Sequence, residues 1–190
     1  YVSATSGSNN NSGVINSAPL SSVEEALNRI TSQYLFSDKN TKLNQHKTFE
    51  IIILDNSDYT ILGHNIYCDI YIKPLNSANK PTLTFNSYQV LHNSHITINN
   101  CNVIRPDINY VNSDRLYENG IFWSTQGKNT IELVSSELNL NSGYALIYPD
   151  YNGCSELTLI MSKSTVKGTS SAQLIQSNYL NTSPHIINVI

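Results

Sequence analysis

Between Arg105 and Glu118 the chain gathers Arg105, Asp107, Asp114, Arg115 and Glu118 into one polar stretch. Carboxylates beside guanidinium groups are what acid–base cleavage of a sugar polymer requires: one group takes a proton, another gives it, and a cation holds the developing charge. The same residues in a solvated loop pair loosely with one another and do no chemistry, which is the expectation here. They stand as weak catalytic candidates. His64, His92 and His95 are not at metal-ligand spacing with a cysteine or a carboxylate pair, so no metal is expected, and His92 and His95, flanking a turn, are expected to be structural. A Gly-rich phosphate loop and a nucleophile elbow are both absent from the sequence, and no cofactor is expected.

A second group of residues could bind rather than react. In Ile121-Phe-Trp123, Leu146-Ile-Tyr148 and Leu174-Ile-Gln176 neighbouring positions are apolar. Side chains on a strand alternate between its faces, so one set faces the core and the other faces outward, unless a loop folds over it. Phe122, Trp123, Tyr144, Tyr148 and Tyr151 are therefore expected to include a ligand or partner surface, with aromatic rings suited to sugars or to protein contacts. Lys163 and Lys167 also alternate outward, in the role of solubility and edge protection. Cys68 and Cys101 sit at packing positions, whereas Cys154, in the turn Asn152-Gly-Cys, is expected to be an exposed thiol.

What must position these groups is a repeat. Ile96-Thr-Ile-Asn-Asn-Cys-Asn-Val103 returns as Ile131-Glu-Leu-Val-Ser-Ser-Glu-Leu138 and as Leu159-Ile-Met-Ser-Lys-Ser-Thr-Val166, and a truncated copy, Ile187-Asn-Val-Ile190, ends the chain. The copies are 35, 28 and 28 residues apart. Each reads as two short strands with one buried face, joined by a tight polar turn. The Ile121, Leu146 and Leu174 runs, 25 and 28 residues apart, form a second ladder in phase with the first. A period of this length marks stacked supersecondary units. Residues Asn65 to Lys73 alternate as one further strand, with Tyr67, Asp69, Tyr71 and Lys73 outward. The long 35-residue step holds the Arg105–Glu118 insertion, and insertions in such repeats become loops on one face.

Ahead of the repeat lies one helix, expected from Ser22 to Tyr34. Ser21 with Glu24, or Ser22 with Glu25, can form a capping box, and Val23, Ala26, Leu27, Ile30 and Tyr34 recur at helical spacing. Such a helix would cover the open apolar end of the first coil. Tyr1-Val-Ser, then Gly7-Ser-Asn-Asn-Asn-Ser-Gly13, then Ala18-Pro-Leu-Ser-Ser-Val-Glu-Glu-Ala-Leu27 resembles the opening segment of the right-handed parallel β-helix (pectate-lyase-like) superfamily. The resemblance implies an all-β fold: a right-handed parallel β-helix, or solenoid, with one N-terminal capping α-helix. Asn9 stands where that loop often carries Asp, which speaks against a metal there. Adjacent paired Asp residues and an Asp-Pro-His motif, which mark some enzymes of this superfamily, are absent.

Composition narrows the function. Charged residues make up 13% of the 190 and the net charge is −3, so no nucleic-acid footprint exists. No apolar run approaches the roughly 20 residues of a membrane-spanning helix. The expectation is a single domain: an opening strand, loop and capping helix over 1–47, then β-helix coils over 48–190. Because the chain stops inside a repeat copy, its last coil is expected to continue into further sequence or to meet a neighbouring subunit. The expected role is that of a secreted or cell-surface module, structural or adhesive, binding a glycan or protein partner. The alternatives are a carbohydrate-active enzyme (a polysaccharide lyase, with calcium, or a glycoside hydrolase) and a phage or filament subunit.

Overall fold

The Ser22 hydroxyl accepts the Glu25 N–H at 3.1 Å and opens helix α1, Val23–Leu35. One of the four N–H groups that a helix start leaves unpaired is satisfied in this way. The computed structural model describes residues 1–35, 47–106, 120–140, 144–150, 153–169, 172–176 and 186–190. Ser21 is not part of the cap; its hydroxyl donates to Asn9 Oδ1 at 2.7 Å. Arg29, paired with Glu25 at 2.8 Å, reaches back to the carbonyls of Asn9 and Asn11 and ties the opening loop to the helix. Val23, Ala26, Leu27 and Ile30 are buried as their spacing requires. The Tyr34 side chain lies outside the described residues.

The chain then visits three ladders in rotation. The first round is β1 (Thr48–Ile53), β2 (Asp58–Ile61) and β3 (Asn65–Ile66). The second is β4 (Asp69–Pro74), β5 (Thr82–Phe85) and β6 (Gln89–His92). Next come β7 (His95–Asn99), β8 (Asn102–Arg105) and the long β9 (Gly120–Val134), which serves the third ladder with its first half and the first ladder with its second. The rotation continues through β10 (Glu137–Leu140), β11 (Ala145–Pro149), β12 (Cys154–Ser162), β13 (Thr165–Gly168), β14 (Gln173–Ile175) and β15 (Ile186–Val189). Every strand pair among the described residues is parallel. Among the described residues the molecule is thus all-β with one helix and parallel strands in sheets, compatible with a β-helix. Helix α1 packs on β1 and β2, at the start of the ladders.

Register follows the repeat. Ile96 pairs with Ile131 and Ile131 with Leu159, and all three are buried. At the fifth residue of each copy, Asn100, Ser135 and Lys163 take positive φ of 55°, 50° and 52°. This left-handed residue turns the chain sharply from the first ladder to the second, at little expense for Asn and at some strain for Ser and Lys. The small residue that follows points inward and links neighbouring copies. Ser136 Oγ accepts the Cys101 N–H at 3.2 Å, and Ser164 Oγ accepts the Ser136 N–H at 3.1 Å.

Three local expectations are corrected. Asn65 to Lys73 is not one strand but two, β3 and β4, because the chain turns a corner near Cys68 without losing its in–out alternation. Val189 rather than Ile187 pairs with Leu159, and Ile187 pairs with Leu157. A two-residue slip leaves every side chain on the same face, so the apolar pattern alone could not detect it. Cys154 is buried at 2% exposure; a register shift between Cys154 and Glu156 turns it inward against Ser124 Oγ, 3.1 Å away. Burial pushes its thiol pKa up, and the buried Cys68 and Cys101 thiols are pushed up to about 12.

The opening segment forms no strand, only isolated bridges from Val2 to Ile53 and Leu20, and Asp55 holds it. Its carboxylate accepts from Tyr59 OH at 2.6 Å, Ser3 Oγ at 2.8 Å, Thr5 N–H and Oγ1 at 3.1 Å, and Ser57 N–H at 3.2 Å. Partial burial raises its pKa, but these donors outweigh burial and hold the carboxyl well below the ordinary carboxylate range. A group with a depressed folded pKa lends stability above its unfolded value, about 3.9, and loses it as pH falls toward the folded value. Urea unfolding should therefore show stability falling from about pH 5 downward. Asp55→Asn should remove about 1.5–3 kcal/mol at pH 7, the worth of a hydrogen bond to a charged group, and flatten the acid limb. An unchanged acid limb in the variant would assign the pH dependence to other carboxylates.

Candidate functional site

Strand alternation sends one row of each ladder outward, and two outward rows carry functional side chains. On the third ladder, Val90 pairs with Trp123 and Trp123 with Tyr148. All three are half-buried, and Tyr88 meets the Trp123 ring edge-on, with centroids 5.9 Å apart and planes at 75°. The neighbouring row is core. Phe122 lies in register with Ile147, is 1% exposed, and tilts against Phe85 at 5.8 Å. Ile121 and Leu146 are buried too, so both faces of these strands are covered there, while Trp123 and Tyr148 stay half-buried.

Tyr144 is fully buried, 5.5 Å from the Arg105 guanidinium across its ring. Arg105 itself is 1% exposed and donates from Nη1 to the Phe85 carbonyl at 2.6 Å. Burial lowers its pKa, and Tyr144 partly offsets this. The residue thus sits inside, tying β8 to β5 under Tyr144, and not on a solvated loop. Asp107, Asp114, Arg115, Glu118 and Tyr151 lie outside the described residues.

The other row has no counterpart in the sequence pattern. On the first ladder, Glu50, Tyr71, Thr97, Glu132 and Ile160 stand side by side in register. Lys73 Nζ pairs with Glu50 at 2.6 Å and lies 4.9 Å over the Tyr71 ring centroid, while Asn99 donates to Tyr71 OH at 2.7 Å. Thr97 Oγ1 donates to Glu132 Oε2 at 2.9 Å, and His95 Nε2 lies 3.2 Å from Thr97 Oγ1 and 3.4 Å from Glu132 Oε2. One row over, the His95 N–H donates to Asp69 Oδ1 at 2.8 Å. Between these groups is a shallow cavity of about 350 Å³ lined by Thr48, Glu50, Asp69, Tyr71, His95 and Thr97.

Alternation in the sequence places Tyr71, Asp69 and Lys73 outward but gives them no role, and it leaves His95 a structural residue. His92, its partner in that expectation, does behave structurally. Its ring stacks on Tyr67 at 4.3 Å, Thr125 Oγ1 lies 2.9 Å from Nδ1, and burial lowers its pKa. Among the described residues no group of three His, Cys, Asp or Glu side chains is placed to hold a metal ion, and no helix is long and apolar enough to cross a membrane. No family model matches the chain, and no curated protein or solved structure matches it.

Proposed function

We propose that the chain is a right-handed parallel β-helix module, secreted or displayed at the cell surface, with a structural or adhesive role in which it holds a glycan or protein partner. The observation that supports this reading is the half-buried Trp123–Tyr148 row with Tyr88 against it. Aromatic side chains offer a large rigid contact area at small entropic expense. Neighbouring strands fix such rings about 4.8 Å apart, on a scaffold too stiff to rearrange. Display outside the cell is the setting in which a rigid adhesive face of this kind would serve.

Trp123 is the chain's one tryptophan, so its fluorescence reports on this row alone. Titration with a panel of polysaccharides should give a ligand that shifts its emission and shields it from a soluble quencher. Followed by calorimetry, because the first variant has no tryptophan, Trp123→Ala and Tyr148→Ala should each weaken that binding tenfold or more, about 1.4 kcal/mol. Emission that no glycan or protein partner alters would remove the support for this row. New reducing ends or unsaturated uronides released from the panel would replace the reading with an enzymatic one.

A further inference from the structure

We propose that the cavity on the outer face of β1, β4 and β7 is a second ligand site, one that holds an uncharged sugar unit of a glycan between Tyr71 and His95. The inference rests on the reading above for its ligand class and adds a different face of the molecule to it. The cavity, about 350 Å³, lies on strands and not on loops, at the lower end of the range for small-ligand sites. Its walls are mostly carbon, with polar atoms at few points. A pyranose needs this mixture: apolar C–H faces to lie on a surface, and hydroxyls that both donate and accept. The Thr48 hydroxyl and the His95 ring can do either, while Asp69, Glu50 and the Thr97 hydroxyl, whose proton goes to Glu132, accept.

The groups are held in place before any ligand arrives. Asp69 is oriented by the His95 N–H, Thr97 by Glu132, Tyr71 by Asn99, and Glu50 by Lys73. Each of these partners comes from the next strand of the ladder, so binding would order little that is not already ordered. Charge then selects the ligand. Among the described residues the cavity lining carries the carboxylates of Glu50 and Asp69 and no lysine or arginine. A uronate would bring a further carboxylate against these two, whereas a neutral sugar meets acceptors for its hydroxyls.

The test is a two-dimensional NMR titration of the full chain with cellohexaose and xylohexaose as neutral probes, hexagalacturonate as the acidic probe, and calcium alone. Saturable shifts at Tyr71, His95 and Thr97 with a neutral hexasaccharide, absent with hexagalacturonate, are expected. His95→Gln and Tyr71→Ala should weaken that binding at least tenfold, and Val166→Ala, an exposed position on the second ladder, should leave it unchanged. Stronger binding of hexagalacturonate, or a response of these residues to calcium alone, would overturn the site. If a hexasaccharide shifts the Trp123 indole signal and leaves Tyr71 and His95 unmoved, this site fails while the aromatic row keeps its role. A response at His95 with none at Trp123 supports this site and leaves the aromatic row without a ligand.

Discussion

Leu133→Ala should lower the unfolding free energy by about 2–5 kcal/mol, the range for truncating a fully buried leucine. Leu133 is 0% exposed and sits on the inward row of the first ladder, in register with Ile98 on one side and Met161 on the other. A ladder has no slack at such a position. Its neighbours are fixed at strand spacing by backbone hydrogen bonds on both sides, so they cannot close over the space that the side chain leaves. Urea unfolding of the two proteins measures the difference directly. A loss under about 1 kcal/mol would place Leu133 outside the core and break the register that defines the ladder.

Ser136→Ala should follow, with a loss of about 1–3 kcal/mol, although it removes a single oxygen. That oxygen is buried at the corner between the first and second ladders. It lies 2.9 Å from the Val134 carbonyl and 3.1 Å from the Ile98 carbonyl, and it accepts the Cys101 N–H at 3.2 Å. Alanine fills most of the volume but leaves the Cys101 N–H without its acceptor in a place that water does not reach. Ser164, one copy later, makes equivalent contacts to Leu133 and Ser162 but is only half-buried. Ser164→Ala should accordingly lose less, since solvent can replace the hydroxyl. Equal losses at the two positions, measured by the same unfolding experiment, would deny that burial sets the effect.

The ladder was legible in the sequence because two signals coincide there. Apolar residues alternate with period two over each copy, and the copies recur at a nearly fixed step, so Ile96, Ile131 and Leu159 could be aligned before any contact was known. The capping helix was legible for a similar reason: Ser22 and the Val23, Ala26, Leu27 and Ile30 face are local signals. What failed did so where geometry does not disturb alternation. The two-residue slip at Val189 and the corner near Cys68 both keep side chains on their faces, and a pattern of faces cannot register either. Cys154 went the other way, since a bulge altered its face without altering the residue types around it.

The polar row on the first ladder was illegible for a different reason. Glu50, Tyr71, Thr97 and Glu132 are brought together by steps of 21, 26 and 35 residues. Each step includes connections of its own length, and the first two do not match the 28-residue interval of the later copies. Taken singly, each residue is an ordinary outward position of a strand. Only the register shows that Glu50 and Lys73 flank Tyr71 while Thr97 and Glu132 engage His95. The aromatic row was half legible. Alternation placed Trp123 and Tyr148 on a candidate surface, but Phe122 and Tyr144 turned out to be core, because Phe85 and Arg105 pack against them.

All of this depends on stacking in register along one axis, and one distance tests it. Spin labels at Glu50 and Ile160 would stand at the two ends of the row that runs through Tyr71, Thr97 and Glu132. Four strand spacings separate them, so a dipolar measurement on the doubly labelled chain should give a distance centred near ~19 Å, broadened by the label linkers. A distance centred beyond about 35 Å, or a distribution with no maximum, would contradict the stacked ladder and both sites built on it.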